Sequence, residues 1–155
     1  MPMTTDDEEV LAHVDYWQDV DIEMTLDSGC CNHVLDVEDA PGYTVQESPG
    51  SRRGQNFIVG NGDRIPNEGQ VRLNMESKNG EASIGVESVF QVAEVSRPLM
   101  SVSKICKNGF KCVFDENEAR VVDTDGKTQC VFKRKGGLYI STKRLKAPTP
   151  FIRPE

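Results

Sequence analysis

Apolar and polar residues alternate at Ile22, Glu23, Met24, Thr25 and Leu26, and the alternation stops on Asp27-Ser28-Gly29. A period of two with one apolar face describes a half-buried strand. The same period recurs at Val71, Leu73 and Met75. After a turn at Lys78-Asn79-Gly80 it returns at Ala82, Ile84 and Val86, and residues 89–95 carry the strand on. Between these lies Gly60-Asn61-Gly62-Asp63, flanked by residues 56–59 and by Arg64-Ile65. Asn-Gly between apolar segments marks a hairpin, because a tight turn needs positive φ. Residues 110–114, the pair 120–122 and 129–132 around Asp125-Gly126, and residues 137–140 supply further strands. Only the stretch 99–107 reads as helix: Val102, Ile105 and Cys106 share a face, Ser101 can cap the start and Gly109 can stop it. Residues 36–54, broken by Pro41-Gly42 and Pro49-Gly50, read as loop with room for a short strand at 43–46. The pattern predicts an all-β chain with one short helix.

Length and composition divide it. The 155 residues suit one domain with a modest core. Residues 1–19 form an acidic N-terminal arm around Asp6-Asp7-Glu8-Glu9, with Tyr16 and Trp17 as the first anchored side chains. Residues 20–142 form the domain. Residues 143–155, with Lys143-Arg144-Leu145-Lys146 and Pro148, Pro150 and Pro154, form a basic, proline-rich linker tail. A net charge of -7 argues against direct nucleic-acid binding. No apolar run approaches the roughly 20 residues that span a bilayer, and no charged-then-apolar leader opens the chain. A cytoplasmic chain without membrane contact is expected. The five cysteines, an odd number, fit free thiols in a reducing compartment. Cys30-Cys31-Asn32-His33 lacks the C-x-x-C spacing of a metal site, so neither metal nor cofactor is expected; small buried thiols beside the acid are.

Asp27 carries the chemistry. An acid at the tip of an apolar strand is costly unless other groups hydrogen-bond it, and such acids are often functional. On the tripeptide alone a plain Asp-Ser-Gly turn explains as much. The order of the later elements decides between these readings.

In that order stand Leu26-Asp27-Ser28-Gly29 with His33, Val59-Gly60-Asn61-Gly62 with Ile65 and Gly69, Leu99-Met100-Ser101-Val102-Ser103-Lys104 with Asn108-Gly109, and Gly137-Leu138-Tyr139. Over about residues 17–141 the chain resembles the retropepsin-like aspartic proteases of Ty1/copia-type retrotransposon Gag-Pol polyproteins. The resemblance implies a pepsin-type acid-protease barrel with a glycine-tipped flap hairpin. It implies an endopeptidase that processes a polyprotein, with Asp27 catalytic and Ser28 and Gly29 forming the active-site turn. Val59, Gly60, Asn61, Gly62 and Asp63 would be the flap over an extended peptide, and Leu99, Met100 and Ser101 would support the turn. Two aspartates are needed and only one Asp-Ser-Gly occurs, so the active form would be a homodimer. Its place would be a retrotransposon virus-like particle. His33 is read as a brace for the turn. Two other readings stay open: a catalytically inactive, domesticated dimerisation or peptide-binding module of the same fold, and a monomeric peptide-binding β-domain.

Overall fold

The computed structural model describes residues 17–77 and 85–148. The acidic arm through Tyr16, the turn at Lys78-Asn79-Gly80 with Ala82 and Ile84, and Pro150 and Pro154 lie outside the described residues.

The chain is mostly β-sheet, as its alternation predicts. The strands are β1 (Val20–Asp27), β2 (Val34–Leu35), β3 (Asn56–Ile58), β4 (Arg64–Pro66), β5 (Gly69–Ser77), β6 (Gly85–Val92), β7 (Leu99–Ser101), β8 (Lys111–Phe114), β9 (Glu118–Val122), β10 (Thr128–Lys135) and β11 (Leu138–Leu145). Nine of them form one sheet in the order β1-β7-β2-β6-β5-β11-β10-β9-β8, and β1 also pairs with β11. That extra pairing closes β1, β7, β2, β6, β5 and β11 into a ring, from which β10, β9 and β8 continue. Closure removes the exposed edges that β1 would otherwise present. The apolar face of each strand turns inward: Met24, Leu35, Leu73, Phe90, Val92, Phe132 and Leu145 are all fully buried. Each such side chain contributes about 1.5–3 kcal/mol on leaving water.

β3 and β4 stand apart as a two-stranded sheet, Phe57 opposite Ile65, with the Gly-Asn-Gly tip where the sequence places it. The predicted helix is α2 (Val102–Lys107), capped by the Ser101 side chain, which accepts from Lys104 N–H; the first residues of that stretch, Leu99–Ser101, form β7 instead, because they pair with β1.

Three segments differ from expectation. Within residues 36–54 lie a short 3-10 turn (Val37–Asp39) and a helical turn, α1 (Pro49–Arg52). Ser48 and Ser51 cap α1 reciprocally and Pro49 occupies its first turn, where a missing N–H costs nothing. The strand considered at 43–46 is a single bridge, Gln46 to Gln70. Here Gly69, at φ 136°, lies so close that a Cβ would fall 2.3 Å from the Gln46 carbonyl oxygen. Tyr43 is instead buried, its hydroxyl donating to Lys146 C=O and accepting from Asn74 N–H.

The third difference is at the tail. β11 runs on through Lys143, Arg144 and Leu145, which pair with Ile22, Asp21 and Val20 of β1 and with Ser77, Glu76 and Met75 of β5. The basic residues hide this strand in the sequence, yet Lys143 and Leu145 both point inward. The ordered body therefore reaches past residue 142. At the other flank the Trp17 ring packs edge-on to Tyr43, centroids 5.9 Å apart, and Asp19 pairs with Lys146 at 2.7 Å. Among the described residues no helix is long and apolar enough to cross a membrane.

Candidate active site

Asp27 is the last residue of β1 and is partly exposed. Parallel pairing sets β7 beside it, Thr25 opposite Leu99, Leu26 opposite Met100 and Asp27 opposite Ser101. The chain turns sharply after the acid, so Gly29 N–H comes back to donate to Asp27 Oδ1 at 2.7 Å. A Cβ on Gly29 would lie 3.4 Å from the same oxygen. The small residue thus lets a backbone amide reach and orient the carboxylate. Ser28, exposed beside it, lies with Asp27 at a cleft of about 420 Å³ whose other walls are Thr25, Leu26, residues 95–97, Leu99 and Leu138.

The turn is held from below by Ser101 and His33, both buried. Ser101 Oγ donates to the Cys30 carbonyl and accepts from Lys104 N–H, while Ser101 N–H donates to His33 Nδ1 at 2.9 Å. The neutral imidazole must then carry its proton on Nε2. The His33 ring also lies on Phe90, centroids 4.9 Å apart. Burial, and then the Lys104 ammonium, pull His33 from 6.5 down to about 4. The ring is neutral at neutral pH, which Nδ1 requires in order to accept. His33 thus bonds to Ser101, and Ser101 in turn to the Cys30 carbonyl just past the Asp27 turn.

Of the paired thiols, Cys30 is half-buried and donates to Asn32 C=O, but Cys31 is exposed rather than buried. Burial chiefly, with some help from the Asp27 charge, pushes the Cys30 thiol up, so it is not an activated nucleophile. Among the described residues no group of three or more His, Cys, Asp or Glu could hold a metal ion.

The predicted flap residues are brought together with one another. Val59 N–H donates to Asp63 C=O and Gly62 N–H to Val59 C=O, while Asn61 Oδ1 accepts from Asp63 N–H. Gly62 sits at φ 89°, the positive value the Asn-Gly signal predicts. None of residues 59–63 lines the Asp27 cleft, however. The hairpin is rooted at Asn67, whose backbone N–H donates to Gln55 C=O and whose side chain accepts from Gly69 N–H and donates to Gln91.

Two contributors escaped the sequence reading. Asn67 looked like loop, although it precedes the tightly packed Gly69. Arg97 looked like part of a connection, yet it lines both the Asp27 cleft and a neighbouring cleft of about 520 Å³ that carries Asp21, Glu23, Glu38 and Asp39. Its one sequence signal was its place before Pro98-Leu99.

Compared with protein-family models, curated proteins and solved structures, the chain has no match.

Proposed function

We propose that the chain is one subunit of a homodimeric aspartic endopeptidase of the retropepsin type, which cuts a retrotransposon polyprotein. The observation that carries this reading is the Asp27 turn: a carboxylate at a strand end, oriented by Gly29 N–H, open to a cleft and underpinned by buried Ser101 and His33. A plain surface turn would need no such foundation, because its polar groups could bond to water.

In the dimer two Asp27 carboxylates face each other across the two-fold axis and share one proton, since like charges that close do not both ionise. They hold a water between them. The ionised carboxylate takes a proton from the water as it attacks the scissile carbonyl, and the neutral one donates to the oxygen that becomes negative. Ser28, at the cleft edge, ties the two turns together across the axis. The peptide lies extended, pairing its backbone with the hairpin and placing alternate side chains in pockets. In this reading the hairpin tip, Val59, Gly60, Asn61, Gly62 and Asp63, closes over the site from a position clear of the Asp27 cleft in the open subunit.

The test is cleavage of a peptide taken from this chain by wild type and by Asp27→Asn, with molar mass measured on the same samples. Pepstatin-sensitive cleavage by a dimer, lost in the variant, is expected. A monomer inactive between about pH 4 and 7, where a shared-proton pair works, would contradict the reading.

A further inference from the structure

Away from the Asp27 turn, β10 and β11 bring an amine and a thiol together. Lys143 is buried, 6% exposed, and its Nζ donates to Cys130 Sγ at 2.6 Å. Among the described residues no carboxylate is paired with that ammonium; its other neighbour is the Phe132 ring, 5.6 Å from Nζ to centroid. Ser141 Oγ lies 3.6 Å from the same sulfur. A buried ammonium is costly without a counter-charge. Among the described residues the Cys130 thiol is the polar group that this amine meets at hydrogen-bond distance.

The separation itself is informative. An N–H···O hydrogen bond averages about 2.9–3.0 Å, and sulfur is larger than oxygen, so Nζ and Sγ stand closer than an ordinary N–H···S contact. They stand further apart than a direct nitrogen–sulfur bond. The gap is the span of a single bridging atom.

We propose that Cys130 and Lys143 form a reversible covalent cross-link, Lys143 Nζ–O–Sγ Cys130, when the chain meets dioxygen. The balance closes. Amine (–NH2), thiol (–SH) and O2 give –NH–O–S– and one water. One N–H and one S–H bond break, and N–O and O–S bonds form. Nitrogen and sulfur each give up two electrons, and dioxygen takes the four, with one oxygen retained in the bridge and the other leaving as water. Dioxygen is small and apolar enough to reach a half-buried sulfur. A thiol reductant attacks the O–S bond and restores the free pair. The bridge would tie β10 to β11, the strand that closes the ring against β1.

The rival fate of Cys130 is a disulfide with Cys112, which would need the strands to move, because both cysteines stand opposite Val121 on either side of β9. Peptide mapping of the air-exposed and the reduced chain by mass spectrometry distinguishes these. The expected product joins the Cys130 peptide to the Lys143 peptide, heavier than their sum by one oxygen less two hydrogens, with trypsin failing to cut after Lys143. Dithiothreitol should reverse both signs. Lys143→Arg should abolish the joined peptide, and Cys130→Ser, which keeps the size of the side chain, should restore cutting after Lys143 even if the first variant folds poorly. A fully alkylatable Cys130 in the air-exposed chain, a joined peptide lacking the oxygen, or a Cys112–Cys130 disulfide with Lys143 free would each overturn the proposal.

Discussion

The Asp27 turn and the hairpin at residues 56–66 are both short, glycine-containing and near the surface, yet they are built in opposite ways. The turn is fixed by bonds to residues distant in sequence: Ser101 reaches Cys30 and His33 across 71 and 68 positions, from the buried side. The hairpin is held chiefly by bonds among its own residues, and its Ile58 is 70% exposed. Long-range bonds break only when the sheet opens, whereas local ones can break alone. A catalytic carboxylate needs the first kind of support, because small misplacements are costly to chemistry. A cover that must admit a peptide needs the second.

The largest effect that can break this contrast acts on the turn through pH. The folded chain holds His33 neutral with a value of about 4, against 6.5 for the free side chain. The unfolded chain therefore binds the extra proton between these values. The stabilisation is complete above about pH 6.5 and is lost as pH falls toward 4. At roughly 1.4 kcal/mol per pH unit, the loss is about 3 kcal/mol. Urea unfolding from pH 7 to pH 4 should show it. His33→Asn, whose Oδ1 can still accept from Ser101 N–H, should flatten that part of the profile.

Next in size is Ser101→Ala. It leaves the Cys30 carbonyl and Lys104 N–H without their partner, at a cost of about 1–3 kcal/mol, and frees the turn. Stability and peptide cleavage should fall together, with cleavage falling further. Equal unfolding midpoints for variant and wild type would show that the turn does not depend on this foundation.

The smallest effect belongs to the hairpin. Gly62→Ala places a Cβ at φ 89°, where left-handed backbone costs a residue with a side chain about 1–2 kcal/mol. The hairpin can open to relieve that strain, so the global midpoint should move by less than about 0.5 kcal/mol. Amide exchange at Val59 and Gly62 should quicken while Ser101 N–H stays protected. Slowed exchange throughout, or a global loss as large as for Ser101→Ala, would mean that the hairpin is as firmly tied as the turn.

The same contrast governs what could be read from the sequence. The hairpin was legible because its signals are local: Asn61-Gly62 demands the positive φ that Gly62 adopts. β1 was legible from Ile22, Met24 and Leu26, and α2 from Ser101 with Val102, Ile105 and Cys106. The foundation of the turn was only partly legible, because the parallel partnership of Asp27 with Ser101 joins residues far apart, and no local pattern encodes it. Ring closure through β1 and β11 was missed at its end, since Lys143 and Arg144 break the apolar alternation although Leu145 is fully buried. The Ser48–Ser51 cap was visible in the residues but outweighed by Pro49-Gly50. Arg97 and Asn67 matter through the walls and bonds they meet in three dimensions, which spacing alone does not carry.

In the proposed enzyme Asp27 is half of a catalytic pair completed by a second chain. Mixing tests it most directly: wild type is titrated with increasing Asp27→Asn at fixed total concentration, allowed to exchange subunits, and assayed for peptide cleavage. A shared pair predicts that activity follows the square of the wild-type fraction, because each mixed dimer has lost one carboxylate. Activity in simple proportion to the wild-type chain would mean that one Asp27 suffices and that no shared pair forms.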